Sequence, residues 1–373
     1  MNKKILWGVI AIVIIVLIVV FSSGKNSDSP SGAGDIKIGS ILILSGDGAA
    51  WGEASRNGID MAVEEINSAG GIDGRRVSVV HEDDSATPQK SISAYNKLVN
   101  TDGAKYIIGT NWSITGLPLV KLANQDKVVI ISPSLGVKDF NEGGKYLFNT
   151  WPHDFILSRN LADYAYNKGA RKVALLGANE VWVKDQDLNF TQRFSELGGT
   201  IGFTYEPLTT ETDVRSSLLK IKNDKSIDSI ILTTDGYGLT SIIAKQLKQL
   251  SINLPVYALT IDQKNLDNCL GTCDGMTLLT FLTPTKTFAD AYMKKFNREV
   301  EIGADSAYDA VMMIAKAIKE TKSADPDKVA DYLATIKTYS GASGNLVSDG
   351  KRAFTKPFLV NKVVNGKPVL ISE

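Results

Sequence analysis

Residues 58–74 read GIDMAVEEINSAGGIDG, and this stretch decides the fold class. Its apolar residues that recur at helical spacing are Ile59, Ala62, Val63 and Ile66. This spacing predicts a helix that begins near Trp51 and turns one apolar face toward a core. The pair Gly70-Gly71 predicts the end of the helix, because glycine readily adopts the left-handed conformation found after many helices.

Predicted strands flank that helix on both sides. Residues 36–44 form a nearly continuous apolar run, which indicates a strand buried on both faces, as in a parallel sheet. Residues 76–81 are the next predicted strand, and Pro88 opens another helix. The alternation continues to a fourth strand at 128–132, so this region is predicted to be a parallel sheet with helices on both faces.

The alternation restarts after Trp151-Pro152. The predicted strands of this second region are 172–176, 201–205, 229–233, 256–259 and 277–281. Helices near 304–319 and 327–335 precede a terminal strand at 358–364. The expected fold is α/β, with two doubly wound parallel-sheet lobes and a cleft between them. In such sheets a ligand binds outside the carboxyl ends of the strands.

Composition and motifs argue against several classes of function. The 373 residues carry 41 Lys and Arg against 41 Asp and Glu, and this balance gives no support to nucleic acid as a partner. Two His and two Cys leave little material for a metal site. No Walker A loop occurs, and Trp51 stands where a dinucleotide-binding loop needs its third glycine. We therefore expect neither an enzyme nor a cofactor.

The N-terminal segment is predicted to direct the protein out of the cytoplasm. Lys3 and Lys4 precede an apolar run at 5–21, whose length lies between a long signal-peptide core and a short membrane-spanning helix. The run is either an uncleaved anchor in the cytoplasmic membrane or a cleaved export signal. Residues 22–34 then form a polar linker, and the folded part begins near Asp35.

The two cysteines flank the sequence Leu-Gly-Thr. Outside the cytoplasm, Cys269 and Cys273 are expected to form a small disulfide loop. A redox or metal pair would need Cys-x-x-Cys spacing or further ligands.

Several short stretches match one known family in the same order along the chain. They are Asp35-Ile36-Lys37-Ile38-Gly39, Leu44-Ser45-Gly46, Trp51-Gly52, residues 58–74, Asp83-Asp84 with Pro88, Ile108-Gly109, Ile131-Ser132-Pro133, Asp213, Tyr308-Asp309-Ala310 and Ser340-Gly341 through Phe354. In these stretches the chain resembles the branched-chain amino-acid (Leu/Ile/Val) binding protein family of ABC transporters, which has the type I periplasmic-binding fold. The resemblance covers about residues 35–364, and 58–74 is its most specific part.

The resemblance implies a division of the chain into two lobes that close on a ligand. It places the crossovers near 150–152, 281–285 and 337–344. The N-terminal lobe then holds residues 35–150 and 286–336, and the C-terminal lobe holds residues 153–280 and 345–373. Residues 1–34 precede both lobes.

The resemblance also implies a set of ligand-binding residues. Ser113 matches a serine that binds the ligand carboxylate, and it precedes a predicted helix whose free N–H groups favour an anion; a plain helix cap is the alternative. Trp51 and Trp182 match cleft aromatics on opposite lobes, and Ser134 matches a backbone-carbonyl contact. The predicted site also includes Trp112 and Tyr237.

Two positions depart from the pattern of the family. Gly136 stands where a hydroxyl residue grips both ends of an amino acid. Thr260 stands where an acidic residue pairs with the ligand ammonium, and Asp262 or Asp235 would replace that residue after a small loop shift. The tryptophans outside the anchor lie in predicted loops or strand ends, which favours an aromatic-walled cleft for a ligand with apolar or planar parts: Trp51, Trp112, Trp151 and Trp182.

Two functions follow from the resemblance. The first is an extracytoplasmic binding protein that delivers a small solute, such as an amino acid or a related polar or planar compound, to an ABC permease. The alternative is a membrane-tethered sensor with the same fold. Only residues 1–4 precede the apolar run, so no cytoplasmic signalling domain is expected on that side, which favours delivery.

Overall fold

The computed structural model describes residues 34–46, 48–234, 238–281 and 284–372. The predicted anchor at 5–21 and nearly all of the predicted linker lie outside these residues, as do Asp235 and Tyr237. Among the described residues, no helix combines the length and the apolar composition that a membrane crossing requires.

The first sheet contains five parallel strands in the order β2-β1-β3-β4-β5. The strands are β1 Ile36–Leu42, β2 Val77–Asp83, β3 Tyr106–Gly109, β4 Val129–Ser132 and β5 Leu147–Asn149. The three central strands are almost completely buried, as their continuous apolar sequences predict. The short strand β5 was not predicted from the sequence.

Helices cover both faces of the first sheet. The helices are α1 Ala49–Ser68, α2 Pro88–Asn96 with a π-helical turn at Lys97–Thr101, α3 Ser113–Gly116, α4 Leu119–Asp126 and α5 Lys138–Asn141, joined from the end of the chain by α12 Ala304–Thr321 and α13 Pro326–Thr335. α1, α12 and α13 share one apolar cluster with the sheet, whereas α2, α4 and α5 share another. This region is therefore doubly wound, as predicted.

The second sheet has seven strands in the order β15-β14-β10-β9-β8-β6-β7. The strands are β6 Lys172–Leu176, β7 Thr200–Tyr205, β8 Ser229–Leu232, β9 Val256–Ala258, β10 Thr277–Phe281, β14 Phe358–Val364 and β15 Lys367–Ser372. Five of them are parallel, but β14 pairs antiparallel with β10, and β15 pairs antiparallel with β14. The predicted fold class is confirmed, and β14 and β15 add an antiparallel edge to the five parallel strands. Asn365 and Gly366 make the tight turn between these last two strands.

Helices also surround the second sheet, and a disulfide lies in its core. The helices are α6 Asp154–Asn167, α7 Val181–Glu196, α8 Arg215–Asn223, α9 Leu239–Gln249 and α10 Gln263–Asn268. The next helix, α11 Lys286–Phe296, packs instead against α1 of the first region. Cys269 and Cys273 are joined by a disulfide with a Cα–Cα distance of 5.6 Å. Both cysteines are buried in the apolar cluster that includes residues of α8 and α9.

A third, three-stranded sheet contains β11 Thr338–Gly341, β12 Gly344–Ser348 and β13 Phe354–Thr355. Leu346 and Phe354 are buried in the same apolar cluster as α1 and α12. The predicted division counted 345–373 with the second lobe, but these two side chains pack beside the first sheet. The chain joins the second sheet only at β14.

The first turns of α12 bond two of the segments that connect the two main sheets, and they also bond the turn between β11 and β12. Thr150, which follows β5, donates to the Ser306 carbonyl oxygen at 2.9 Å. Lys356 lies between β13 and β14, and its Nζ forms a buried ion pair with Asp305 Oδ2 at 3.2 Å. In the turn between β11 and β12, the backbone N–H groups of Ala342 and Ser343 donate to the Asp309 carboxylate at 2.7 and 2.8 Å.

The close packing of α1 on α12 requires a glycine. A Cβ atom on Gly58 would lie 2.0 Å from the carbonyl oxygen of Ala304, which is the first residue of α12. The motif 58–74 therefore lets the start of α12 approach α1 closely.

We expect Asp309→Ala to destabilise the fold, because it leaves two buried N–H groups without an acceptor. The free energy of unfolding should fall by about 2–5 kcal/mol in urea denaturation. Asp290→Ala is the control: Asp290 makes an exposed ion pair with Lys286, and its loss should cost less than about 0.5 kcal/mol. An equally small effect for both variants would contradict this role of Asp309.

Candidate functional site

A cavity lies between the first and second sheets, at the carboxyl ends of their strands. It encloses about 590 Å³ of space free of protein atoms, part of it open to solvent. Segments that follow β3 and β4 form one wall, and segments that follow β8, β9 and β10 contribute to the other. Seven residues of the predicted site line it: Trp51, Trp112, Ser113, Ser134, Gly136, Trp182 and Thr260.

The polar groups of the first wall differ in how fully they are bonded. Asn111 donates to Ser55 and Ser134, and its side-chain oxygen accepts from the backbone of Ile43. Ser134 donates in turn to the Asn111 carbonyl oxygen at 3.0 Å. In contrast, the buried Ser113 hydroxyl has no hydrogen-bond partner among the described residues. Ser113 is thus the hydroxyl of this wall that remains available to a ligand.

The helix after Ser113 is shorter than predicted. The sequence pattern of residues 114–124 predicts one helix. The structure has the four-residue α3 and then α4, separated by Leu117 and Pro118. A proline in a helix interior removes a backbone donor and clashes with the preceding turn. A long helix therefore does not begin at Ser113, so no long helix N-terminus is available to bind an anion here. The Ser113 hydroxyl remains available to bond a ligand.

Five aromatic side chains line the cavity: Trp51, Trp112, Trp151, Trp182 and Phe281. Trp51 and Trp112 meet edge to face with ring centroids 6.4 Å apart, and Trp151 and Phe281 do the same at 5.5 Å. Trp51 lies in the first turn of α1, which was predicted to begin near it, and Trp182 lies in the first turn of α7 rather than in a loop. A helix whose first turn faces a cleft presents a tryptophan there as readily as a loop does.

The second wall contributes hydroxyl and amide groups. Thr260 Oγ1 is buried without a partner among the described residues, as is the side-chain oxygen of Gln186. Asp262 does not line the cavity; its carboxylate caps α10 by accepting from the backbone N–H of Asn265 at 2.7 Å. Asp235 and Tyr237 lie outside the described residues.

Asp154, at the start of α6, is a cavity residue that sequence reasoning missed. Its carboxylate accepts hydrogen bonds from the side chains of Trp151 and Gln186, and burial together with the nearby Asp185 raises its pKa to about 7. A Cβ atom on Gly136 would lie 1.7 Å from Asp154 Oδ2. The glycine at a position expected to carry a hydroxyl was the signal that another side chain fills this space.

A second buried carboxyl group lies behind the cavity wall. Asp187 accepts from the hydroxyl of Thr233, which lines the cavity, at 2.6 Å. Burial is the main cause that raises its pKa to about 7. Burial raises the pKa of four other carboxyl groups to about 6 or 7 as well: Asp84, Asp154, Glu301 and Asp309.

These groups predict that stability falls as pH rises from 5 to 7.5. The folded Asp187 keeps a proton up to about pH 7, whereas the unfolded chain loses it near its ordinary pKa of 3.8. The folded state therefore binds more protons in this interval, and the free energy of unfolding decreases with pH. Desolvation is the main cause that lowers the pKa of the buried His153, so this group makes the free energy of unfolding rise with pH. It is one group against several carboxyl groups.

Asp187→Asn should reduce this loss of stability by about 1 kcal/mol or more, measured by denaturation at pH 5 and pH 7.5. Asp213→Asn is the control, because Arg215 lowers the pKa of Asp213 to about 2, below the interval. If Asp187→Asn lost as much stability between pH 5 and pH 7.5 as the unsubstituted protein does, the raised pKa of Asp187 would be contradicted.

Comparison with known proteins places this architecture in a family. The sequence model of the periplasmic binding protein family matches residues 35–367. A Leu/Ile/Val-binding protein homolog of Brucella melitensis is 28% identical over 90% of this chain and 93% of its own length. The leucine-, isoleucine-, valine-, threonine- and alanine-binding protein of Pseudomonas aeruginosa is 25% identical over 86% of this chain and 87% of its own length.

Solved structures agree with these sequence matches. The branched-chain amino acid transporter substrate-binding protein LivJ of Streptococcus pneumoniae, solved with isoleucine, has a TM-score of 0.82 and 26% identity, over 91% of this chain and all of that chain. A solute-binding protein of an ABC transporter from Rhodopseudomonas palustris, solved with 3,4-dihydroxybenzoic acid, has a TM-score of 0.80 and shares the fold at 23% identity, over 91% of this chain and 96% of that chain. Periplasmic binding proteins act outside the cytoplasm. The chain belongs to the periplasmic binding protein family, and it is similar to members that are substrate-binding proteins of transporters.

Proposed function

We propose that this protein captures a small solute in the cavity between the two sheets and delivers it to an ABC permease. The observation that carries the proposal is the cavity itself, in which free hydroxyls face the same space from opposite walls. Ser113 supplies one hydroxyl and Thr260 the other. A buried polar atom without a partner is costly, and a ligand that bonds it removes that cost.

The ligand is expected to have an apolar or planar part. Trp51 and Trp112 come from the first region of the chain, and Trp182 comes from α7 in the second. Trp182 also packs against apolar residues beside the first sheet. Contact of one aromatic residue with both regions favours a site that closes over its solute. The similar proteins solved with isoleucine and with 3,4-dihydroxybenzoic acid support a solute of about this size.

Binding should depend on Ser113 and Trp182. The probe is the compound that raises the melting temperature most among branched-chain amino acids, amines, benzoates and small acids. Ser113→Ala should weaken its binding by roughly ten- to a hundred-fold in calorimetric titration, because a hydrogen bond to a charged group is lost. Trp182→Ala should weaken it through lost apolar contact.

Ser93→Ala is the matched control, since Ser93 is an exposed serine that bonds only within α2. It should bind as the unsubstituted protein does. Unchanged affinity in both Ser113→Ala and Trp182→Ala would show that the solute binds elsewhere.

We further propose that residues 5–21 anchor the protein in the cytoplasmic membrane. The proposal is supported by the uninterrupted apolar run and by the poor match of the following residues to a cleavage site. Membrane fractionation with intact-mass measurement should recover the full chain in the membrane fraction. A soluble extracytoplasmic species that begins near Ser23 would contradict anchoring.

A further inference from the structure

The ionisable side chain that lines the cavity is acidic. Among the described lining residues, Asp154 has this side chain, and no Lys, Arg or His is present. The charged group that most affects Asp154 is Asp185, which is also acidic. The Asp154 carboxylate therefore faces the solute space without a cationic partner from the described part of the chain.

The carboxylate is nevertheless held firmly in place. The backbone N–H of Asp154 donates to the Gly136 carbonyl oxygen at 2.9 Å, and the side chains of Trp151 and Gln186 donate to the carboxylate. Gly136 leaves the space that Oδ2 occupies, because a Cβ atom there would lie 1.7 Å away. A fixed acceptor with no cation of its own is suited to a cation that arrives with the ligand.

The surrounding aromatic rings suit the same kind of group. Trp51 stands perpendicular to Trp112, with an interplanar angle of 86°, and Trp151 stands perpendicular to Phe281 at 87°. Each pair presents a ring face next to a ring edge. Organic cations bind favourably against tryptophan faces, particularly where water is displaced.

We propose that the Asp154 carboxylate binds an ammonium group of the solute. The ligand is then an organic amine or a zwitterion with an ammonium group, and an organic acid without one is excluded. This inference rests on the proposed function, and it assigns a positively charged group to the solute that occupies the same site. It names Asp154, rather than Asp262 or Asp235 as the sequence suggested, as the partner of the ligand ammonium.

An organic acid fits this cavity poorly. The Ser113 and Thr260 hydroxyls can donate to a carboxylate, but the described lining residues supply no positive charge to balance it. At pH 8, above the pKa of about 7 of Asp154, such a ligand would place a second negative charge near the ionised carboxylate. Like charges in a partly desolvated site repel each other strongly.

The test uses compounds with one carbon skeleton. Leucine carries ammonium and carboxylate groups, 3-methylbutylamine only the ammonium group, and 4-methylpentanoate only the carboxylate. Choline and benzoate extend the panel to a quaternary ammonium ion and an aromatic acid. Thermal shift and calorimetric titration at pH 8 should find that an ammonium compound binds most tightly.

Two substitutions act on the same carboxylate by different routes. Asp154→Asn removes its charge, and Gly136→Ala forces it to move without creating backbone strain, since Gly136 does not have a positive φ. Each should weaken binding of the best ammonium compound by at least about thirty-fold. Asp262→Asn is the control, because asparagine also caps helices well, and it should bind within about two-fold of the unsubstituted protein. Melting curves of the unliganded variants check that each one is folded.

The possible outcomes separate this inference from the proposed function. Tightest binding of benzoate or 4-methylpentanoate, or unchanged affinity of Asp154→Asn for the ammonium compound, would overturn the inference and leave solute binding intact. If only Asp262→Asn weakened binding of the ammonium compound, Asp262 rather than Asp154 would be the carboxylate that binds the ammonium group. Failure of every compound to bind would count against both the inference and the proposed function.

Discussion

The first turns of α12 are the constraint on which the rest of the structure depends. They pack against α1 where Gly58 has no side chain, and they bond two of the segments that connect the two main sheets, together with the turn between β11 and β12. The Asp305–Lys356 ion pair is almost fully buried, and Lys356 also lies 5.2 Å from the ring centre of Trp151. Breaking one partner of such a pair leaves an uncompensated buried charge. These two connections are therefore fixed at one place, and the cavity lies beside it.

This arrangement explains why the cavity forms where it does. Trp151 lies in the connecting segment that follows β5, and Phe281 is the last residue of β10, directly before another connecting segment. Both rings line the cavity. The carboxyl ends of the strands from both sheets face the same space, which is where open α/β sheets bind ligands. A solute bound there contacts residues from both regions of the chain while the connections stay anchored to α12.

Much of the fold could be predicted from periodicity, because buried parallel strands are continuous apolar runs and the covering helices repeat at 3.6 residues. Strand β5 has three residues and β15 is largely exposed, so neither gave a strong pattern. The small sheet β11–β13 is also weakly apolar, and only its packing beside the first sheet shows that residues 344–355 belong there. The positions of β5, β15 and the small sheet depend on contacts with residues that are distant in the sequence, which local patterns do not show.

The candidate site was predictable in its aromatic and hydroxyl residues but not in its charge. Trp51, Ser113 and Trp182 line the cavity as the family pattern implied. Asp154 was missed, because an acidic residue at a helix start is usually explained by the helix dipole. Its role depends on Gly136, which is close in space but distant from it in the sequence. A single sequence does not reveal such complementary pairs.

The central claim is that a solute binds between the two sheets while the first turns of α12 stay fixed. Hydrogen exchange, measured with and without the solute that most raises the melting temperature, tests it most directly. Binding of the solute should slow the exchange of backbone amides at 111–116, 134–137 and 182–187, and it should leave exchange at 304–310 unchanged. Unchanged exchange around the cavity, or greater protection confined to another surface, would contradict it.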